Sequence, residues 1–404
     1  MTMPRKPARP RKWLWVTLIV LSAVLLVAGS VVAWSRDTEP ANCDPATAKG
    51  RVGGSDGAGM LTMPQGDLDR ELVMARDAGM WAIRVDVDWS RIEPVQGQRD
   101  WSDTDRVVEA VMRHGMCPLG LVGYTPDWAA AVPTTDGHSR PADPAQFAEF
   151  AAAAAERYRD AISMWEIWNE PNLETFFKPA PDHAAYGDLL AHTYPAVRAV
   201  RDDLWVIAGG MAPATDDGPN IAPITFLTGL YADGVNRYFD AVAMHPYSYP
   251  ALPDDPAEWN AAQQMWKLRD IMVAGGDEDK LIWITEFGAP TGTSERAVSQ
   301  AVQARSVRIV LQAVMDVAWL GPAFVYSIRD SGDDTDDPER NFGILQRDFT
   351  PKQAYAVVRE FGTSARRRAR LPATGTRRKT VAHHTADDVS EGMARDNDEH
   401  RRVM

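Results

Sequence analysis

Residues 164–172 read MWEIWNEPN, and they determine how the rest of the chain is interpreted. The first five positions are apolar or aromatic apart from one glutamate, which predicts a short, covered β-strand that ends before the proline. Glu170 therefore lies at the carboxyl end of the strand. Strict alternation places Glu170, Trp168 and Glu166 on one face and Asn169 on the other, unless the backbone kinks there. On this stretch alone, a buried glutamate that caps a turn remains an alternative to a catalytic acid.

Predicted strands and helices alternate regularly on both sides of this stretch. Helical patterns alternate with apolar strand patterns. The strand patterns lie at residues 51–60, 81–89, 117–123, 164–168, 205–209, 239–245, 281–286 and 323–328. Eight such units favour an α/β fold of the (β/α)₈ TIM-barrel class over an open, doubly wound sheet. Active sites of such barrels lie at the carboxyl ends of the strands, which is where Glu170 falls.

A second glutamate ends the seventh predicted strand. Residues 281–288 read LIWITEFG, and alternation places Glu286 on one face with the two isoleucines and turns Trp283 toward the helices. Strands four and seven are three barrel units apart, so Glu170 and Glu286 should face each other across the barrel mouth. Two facing carboxyl groups can supply a general acid and a nucleophile.

The second predicted strand has a charged row on one face, formed by Arg84, Asp86 and Asp88. Barrel interiors are usually apolar, and buried charges require partners. A purely structural ion pair between Arg84 and one of the two aspartates is one interpretation of this row. A functional role for Arg84 at the strand end is the other.

Together these motifs resemble glycoside hydrolase clan A, which includes cellulase-like enzymes and the family of β-xylosidases and α-iduronidases. Residues 168–171, WNEP, resemble the acid/base motif of the clan, and residues 285–288, TEFG, resemble its nucleophile motif. The similarity covers roughly residues 55–362. It implies a retaining hydrolase of β-linked oligo- or polysaccharides, with Glu286 as nucleophile and Glu170 as acid/base.

The resemblance also implies a set of residues that bind the substrate. Arg84 would bond the nucleophile, and Asn169 would bond the sugar 2-hydroxyl. His245 and Tyr247 correspond to a His-x-Tyr pattern that lines the subsite of the reacting sugar.

Three aromatic residues complete the expected binding site. Trp89 follows the charged row of strand two, and Trp128 lies in an aromatic loop after strand three. Strand eight lacks the tryptophan that many members place there, and Tyr326 is expected to replace it as a platform for the sugar.

Composition and motifs limit the partners of the domain. Residues 13–363 hold 28 Lys and Arg against 50 Asp and Glu, a net charge of −22 that disfavours nucleic acid and other polyanions. A carbohydrate that is neutral or cationic fits this charge better. The sequence contains no phosphate-binding loop and no His/Cys cluster with metal-ligand spacing, so we expect no cofactor and no metal. We expect a monomer.

The N-terminus predicts export. Residues 1–12 are basic, and residues 13–34 contain no charged side chain, which is long enough to span a bilayer as a helix. We expect a single-pass membrane anchor with an extracellular body, and a cleaved signal peptide is the alternative. Residues 35–48 should form a linker to a catalytic domain over residues 49–363. Residues 364–404, basic and then mixed in charge, should be disordered.

Two alternatives remain open at the sequence level. Cys43 and Cys117 either form a disulfide outside the cytoplasm or stay as separate thiols. The barrel could also act as a transglycosylase of cell-wall or capsule sugars with the same residues, or as an inactive sugar-binding barrel.

Overall fold

The computed structural model describes residues 42–370, with side chains described as far as residue 367. The expected basic segment, residues 1–12, and the expected membrane segment, residues 13–34, lie outside this range. Among the helices of the described residues, none combines the length and the apolar character that crossing a bilayer requires.

Within residues 42–370, eight parallel strands close into a barrel, each bonded to the next and the last bonded to the first. The strands are β1 (Val52–Ser55), β2 (Ala82–Asp88), β3 (Cys117–Gly123), β4 (Met164–Ile167), β5 (Trp205–Met211), β6 (Ala241–Met244), β7 (Ile282–Phe287) and β8 (Leu320–Tyr326). The predicted TIM-like α/β barrel is confirmed. Several strands are shorter than their sequence patterns, β1 most clearly.

Helices lie between the strands along the chain. They are α1 (Gly59–Thr62), α2 (Gln65–Asp77), α3 (Trp89–Ile92), α4 (Ser102–Arg113), α5 (Pro144–Arg157), α6 (His183–Val200), α7 (Pro223–Ala232), α8 (Ala261–Ala274), α9 (Gln300–Asp316) and α10 (Gln353–Arg370). Local signals set their starts: the Asp143 side chain accepts the Ala145 N–H at the start of α5, where a proline follows the cap. The apolar faces of these helices pack on the outward side chains of the strands.

The lower half of the barrel interior is a separate apolar cluster. Its members include Leu119, Met164, Ile207, Trp283 and Phe324, from five of the strands. The position of Trp283 corrects the sequence prediction, which turned this ring toward the helices. Along most of β7 the odd-numbered positions face inward, while the isoleucines pack outward.

Residues 42–48 cover the amino-terminal end of the barrel. Cys43 forms a disulfide with Cys117 at the start of β3, so the paired alternative holds. The Trp81 indole donates to the carbonyl of Asn42 at 2.8 Å, and Ala48 is fully buried. The expected linker over residues 35–48 therefore needs correction, because its last seven residues pack as part of the domain.

The C-terminal boundary also differs from the expectation. We expected disorder from Ser364, but α10 continues to Arg370. Ala365 is buried, and the Arg366 guanidinium donates to the carbonyl of Met80 at 2.6 Å. These contacts carry the helix past the point where the sequence becomes basic.

Candidate active site

The end of β4 turns sharply and sets the orientation of the motif residues. Trp168 and Glu170 adopt left-handed φ values of 69° and 49°. The turn directs the Trp168 ring into the core, where its indole donates to the carbonyl of Phe176 at 2.7 Å. Asn169 consequently points into the site. Strict alternation, which placed Trp168 and Glu170 on one face, is wrong here, and the kinked alternative is what forms.

The end of β7 is irregular as well. The pairing of β7 with β8 shifts register between Ile284 and Phe287. Thr285 follows the inward phase of the strand, because its hydroxyl contacts both Glu166 and His245. The irregularity lets the next residue, Glu286, also reach the interior, so two consecutive side chains of β7 enter the site.

Glu170 and Glu286 meet at the mouth of the barrel with His245 between them. One oxygen of each carboxyl group and a ring nitrogen of His245 all lie within 4.8 Å of one another. The His245 Nδ1 lies 3.0 Å from Glu170 Oε1 and 3.7 Å from Glu286 Oε2. The structure therefore brings together the two glutamates that the sequence paired across 116 positions.

Arg84 binds the Glu286 carboxylate from below. Its Nη1 donates to Glu286 Oε1 at 2.6 Å, its Nε donates to Glu166 Oε2 at 2.6 Å, and its Nη2 donates to Asn169 Oδ1 at 2.8 Å. Two alternatives were predicted for Arg84: a bond to Glu286, or a structural ion pair with Asp86 or Asp88. The ion-pair partner besides Glu286 is instead Glu166.

Sequence reasoning missed the role of Glu166, although a signal was present. A glutamate in the middle of an apolar strand must be paired when it is fully buried. Besides Arg84, Glu166 accepts the Thr285 hydroxyl at 2.9 Å and the Gly210 N–H at 2.9 Å. Gly210 is required there, since an added Cβ would lie 2.0 Å from the His245 ring.

Neighbouring charges and one hydroxyl group shift the pKa of Glu286. Burial pushes the pKa of its carboxyl upward, but the charges of His245 and Arg84 and the hydrogen bond from Tyr247 outweigh burial and lower the pKa below its ordinary value. The Tyr247 hydroxyl donates to Glu286 Oε2 at 2.8 Å. Glu286 is thereby held as a carboxylate.

The hydrogen bonds of His245 fix one of its protons. Thr285 uses its hydroxyl proton on Glu166, so it accepts at 3.0 Å from the Nε2–H of His245. A second hydrogen bond, 3.0 Å long, joins His245 Nδ1 and Glu170 Oε1. Burial lowers the pKa of His245, but the charges of Glu286 and Glu170 outweigh burial and raise the pKa above its ordinary value.

A cavity of about 580 Å³ opens above these groups, a volume suited to a small ligand. Four residues that the sequence predicted to bind the substrate line it with the two glutamates: Arg84, Asn169, Tyr247 and Tyr326. His245 lies fully buried behind the wall. Additional aromatic lining, which the sequence analysis did not single out, comes from Tyr124, Phe176, Tyr249 and Phe342.

The structure places two predicted binding residues outside the cavity. Trp89 is 1% exposed, donates to Glu93 at 3.0 Å and packs on Phe150. Trp128 packs edge-on against Trp89 and donates to the carbonyl of Glu93 at 2.8 Å. The short helix α3 turns Trp89 into the core, so the expectation that both rings bind substrate needs correction.

Glu170, His245 and Glu286 also form the candidate metal site among the described residues. Two carboxylates and an imidazole are ligand types that several divalent ions accept. Each of the three side chains is already engaged in the hydrogen bonds given above. Chelation provides a direct test of whether a metal binds there.

Comparison with known proteins supports the fold. No protein-family model matches the chain. A family 39 glycoside hydrolase from Bacteroides cellulosilyticus is similar, with TM-score 0.63 and 23% identity over 78% of this chain and 64% of that structure. A second family 39 enzyme, from Xanthomonas axonopodis pv. citri, gives TM-score 0.62 and 21% identity over 81% and 68% of the two chains.

More distant matches belong to the same clan. A family 5 enzyme from Bifidobacterium longum, solved in complex with Manb1-4GlcNAc, gives TM-score 0.61 and 18% identity over 80% and 79% of the two chains. The structural neighbours are thus clan A glycoside hydrolases. A sequence relative, the chloroplastic galactolipid galactosyltransferase SFR2 of Arabidopsis thaliana, is 29% identical over 120 residues, covering 27% of this chain and 19% of that protein.

Proposed function

We propose that the protein is a retaining glycoside hydrolase in which Glu286 is the nucleophile and Glu170 the acid/base. The observation that carries the proposal is the approach of one Glu170 oxygen to within 4.8 Å of a Glu286 oxygen. Retaining enzymes need carboxyl groups about 5–5.5 Å apart, whereas inverting enzymes need about 6.5–9.5 Å to admit a water molecule. The similarity of the fold to clan A hydrolases supports the same assignment.

In the first step, Glu286 attacks the anomeric carbon and the bond to the leaving oxygen breaks. The leaving oxygen takes its proton from Glu170, whose Oε1 is hydrogen-bonded to His245 Nδ1 in the free site. Arg84 and Tyr247 keep Glu286 ionised and aim its two oxygens. The product of this step is a glycosyl ester of Glu286, and Asn169 is placed to bond the sugar 2-hydroxyl.

In the second step, Glu170 accepts a proton from water, and the water oxygen attacks the same anomeric carbon. Glu286 leaves as a carboxylate and regains its bonds from Arg84 and Tyr247. Two inversions at one carbon give net retention. Proton transfer by a placed carboxyl group contributes about 100- to 10,000-fold to such a reaction.

The substrate class and location follow from charge and export signals. The acidic body suits a neutral or cationic β-linked oligo- or polysaccharide. The uncharged segment at residues 13–34 and the Cys43–Cys117 disulfide support work outside the cytoplasm, on a single-pass anchor or after signal cleavage. We propose that the protein acts there as a monomer.

Transglycosylation is the second candidate, in which a sugar hydroxyl replaces water in the second step. The partial sequence similarity to a plant galactosyltransferase supports this second candidate. The same glutamates would serve both reactions, so only the products separate them. An inactive sugar-binding barrel would bind sugar without releasing any product.

The test screens the full-length protein against aryl β-glycosides and β-glucans, with NMR detection of the first anomer released. We expect a β-product from a β-substrate, and a matched 2-fluoro glycoside should label a peptide that contains Glu286. A first-formed α-product would overturn the retaining mechanism. Longer oligosaccharides among the products would identify transglycosylation. If the protein binds sugars but cleaves none in the whole screen, the result would support an inactive sugar-binding barrel.

A further inference from the structure

Asp86 is a buried carboxyl group that the proposed mechanism does not use. It lies on β2 two residues after Arg84, lines the cavity and is 3% exposed. Its Oδ1 is buried and accepts no hydrogen bond from any residue within the described part of the chain. An unpaired carboxylate oxygen is costly at such a position, so this atom is suited to accept a donor from a ligand.

The other aspartates that line the cavity already have partners. Asp88 accepts the Ser90 hydroxyl at 2.6 Å and the Arg91 N–H at 3.2 Å. Asp136, at the rim, forms an ion pair with Lys178. Asp86 differs from these two aspartates in one respect: its buried Oδ1 has no hydrogen-bond donor.

The charge around Asp86 is unbalanced toward negative. Arg84 is the buried cation beside it, and that guanidinium already faces the carboxylates of Glu166 and Glu286 at 2.6 Å each. A third carboxylate on the same floor is therefore not neutralised. A neutral hydroxyl would satisfy one lone pair of Asp86, whereas an ammonium group would satisfy it and also balance the charge.

The pKa of Asp86 is shifted in the direction that this geometry predicts. Burial and the surrounding carboxylates raise the pKa of Asp86 to about 7, against the opposing charge of Arg84. The groups that face Asp86 come from four strands and from the residue that follows β3: Arg84, Asp88, Tyr124, Glu166, Glu286 and Tyr326. A cationic ligand would stabilise the ionised form, and an anionic sugar would meet repulsion.

We propose, building on the proposed hydrolase function, that the cavity takes a glycoside whose sugar carries a free amino group, with Asp86 binding the ammonium. The substrate class is therefore unacetylated amino sugars. Uronic acids and sulfated sugars are excluded by the same charges. Asp86 acts as a specificity residue for the glycosidic reaction, and Glu170 and Glu286 keep their proposed roles.

The experiment compares matched aryl β-glycosides in the glucose and galactose series. Each series contains the neutral sugar, the sugars with one ring hydroxyl replaced by an amino group, and their N-acetyl derivatives. We expect at least one amino sugar to exceed its neutral and acetylated partners by about 10- to 100-fold in kcat/KM, the usual weight of a charge-assisted hydrogen bond. Asp86→Asn should remove most of this ratio.

Asp88→Asn is the matched control. It removes one charge from the same cavity wall, and asparagine can still cap α3 as aspartate does. We expect this variant to change the amino-to-neutral ratio by less than about threefold, because charge at a distance is worth less than a direct bond. An equal loss of the ratio in both variants would overturn the assignment to Asp86.

The pH dependence gives a test that needs no variant. Effects of pH on the catalytic steps that both substrates share cancel in the ratio of their kcat/KM values. We expect the ratio to fall between pH 7 and pH 5 as Asp86 becomes protonated. The substrate amine can only gain charge over this range, so it does not cause the fall. A ratio that stays flat over this range, or favours the neutral sugar throughout, overturns the proposal.

The two proposals can fail separately. Cleavage of neutral glycosides with no preference for an amino sugar would overturn this inference and leave the hydrolase function in place. If no glycoside is cleaved in this panel or in the broader screen, both proposals fail.

Discussion

Glu286 shows how single residues set the chemistry of this site. Three side chains stabilise its charge: Arg84 comes from β2, and His245 and Tyr247 come from the segment that follows β6. Of these, Tyr247 contacts Glu286 through a single hydroxyl. Its removal is therefore the cleanest way to change the protonation of the proposed nucleophile while leaving the ion pair with Arg84 intact.

Tyr247→Phe should move the acidic limb of the kcat/KM profile to higher pH by about one unit. The hydrogen bond favours the ionised carboxyl, so its loss raises the pKa of Glu286. A bond to a charged group contributes about 1.5 kcal/mol or more, which corresponds to about one pH unit. Tyr249→Phe, a change on the same cavity wall, is the control, and an unmoved limb would contradict the assignment.

Replacement of the two glutamates should separate their roles. Glu286→Ala is expected to abolish turnover of every glycoside, because no ester can form. Glu170→Ala should retain turnover of dinitrophenyl glycosides, whose leaving group needs no proton, and lose about 100- to 10,000-fold on alkyl glycosides. Steady-state kinetics on both substrate types measures this. An equal loss on both types for Glu170→Ala would contradict its role as acid.

Chelation tests the alternative use of the same side chains. Glu170, His245 and Glu286 have the spacing of a metal site, yet the proposed mechanism assigns all three to proton and sugar chemistry. We expect dialysis against EDTA to leave kcat unchanged, with metal analysis of the same sample as the accompanying measurement. Loss of activity that returns on adding one divalent ion would show that a metal takes part.

At the scale of elements, the barrel was predictable and the ends of its strands were not. The strand–helix alternation and the placement of Glu170 and Glu286 on β4 and β7 followed from apolar patterns. The orientation of Asn169 did not, because the turn at Trp168 depends on bonds to neighbouring strands, such as that from Glu170 N–H to the Gly210 carbonyl at 3.1 Å. The alternation of apolar and polar residues along one strand does not predict such contacts with neighbouring strands.

Trp89 illustrates a second limit of the same kind. Its sequence position follows an inward-facing charged row, which suggested a binding role. The chain enters α3 at this residue, and the ring turns between Trp128 and Phe150. Apolar packing of a tryptophan and stacking on a sugar use the same surface, so the sequence does not distinguish them.

The junction of β1, α2 and β8 has a pH-sensitive contact. The Asp56 carboxyl accepts the Ile328 N–H at 2.6 Å and faces Glu71, which Arg329 binds at 2.8 Å. Burial and the charge of Glu71 raise the pKa of Asp56 well above its ordinary value. The folded state therefore favours the protonated form of Asp56, and its free energy of unfolding falls as pH rises through the raised pKa.

Asp56→Asn should make the protein relatively more stable at alkaline pH. The amide resembles the protonated carboxyl: its oxygen accepts from Ile328, and its NH₂ donates toward Glu71. We expect a Tm above that of the unmodified protein by about 2 °C or more at pH 9, with the advantage lost near pH 4. Asp77→Asn, at the exposed end of α2, is the control. A lower Tm at pH 9 would contradict this account.

At the scale of the whole molecule, the disulfide connects the start of the described chain to the barrel. Cys43 and Cys117 are 74 residues apart, and the loop they close contains β1, β2 and the helices between β1 and β3. The sequence left this pairing open, because spacing along a chain does not fix a distance in space. The bond lies at the amino-terminal end of the strands, away from the cavity.

Loss of the disulfide should therefore lower stability without changing the chemistry. Closing a loop of this length is worth about 4 kcal/mol in the chain-entropy account. We expect Cys43→Ser with Cys117→Ala to lower Tm by several degrees, while kcat per folded molecule at 25 °C stays unchanged. Reductant should lower the Tm of the unmodified protein and leave the variant unaffected. A loss of kcat in the folded variant would show that the two ends of the barrel are coupled.

The shared guanidinium has a consequence for the lifetime of the intermediate. In the glycosyl ester of the proposed reaction, Glu286 is uncharged, and Arg84 then neutralises Glu166 alone. Arg84 has then lost one of its two ion-pair partners. Release of the sugar restores the ion pair between Arg84 and Glu286, so this pair favours the second half of the cycle over a trapped ester.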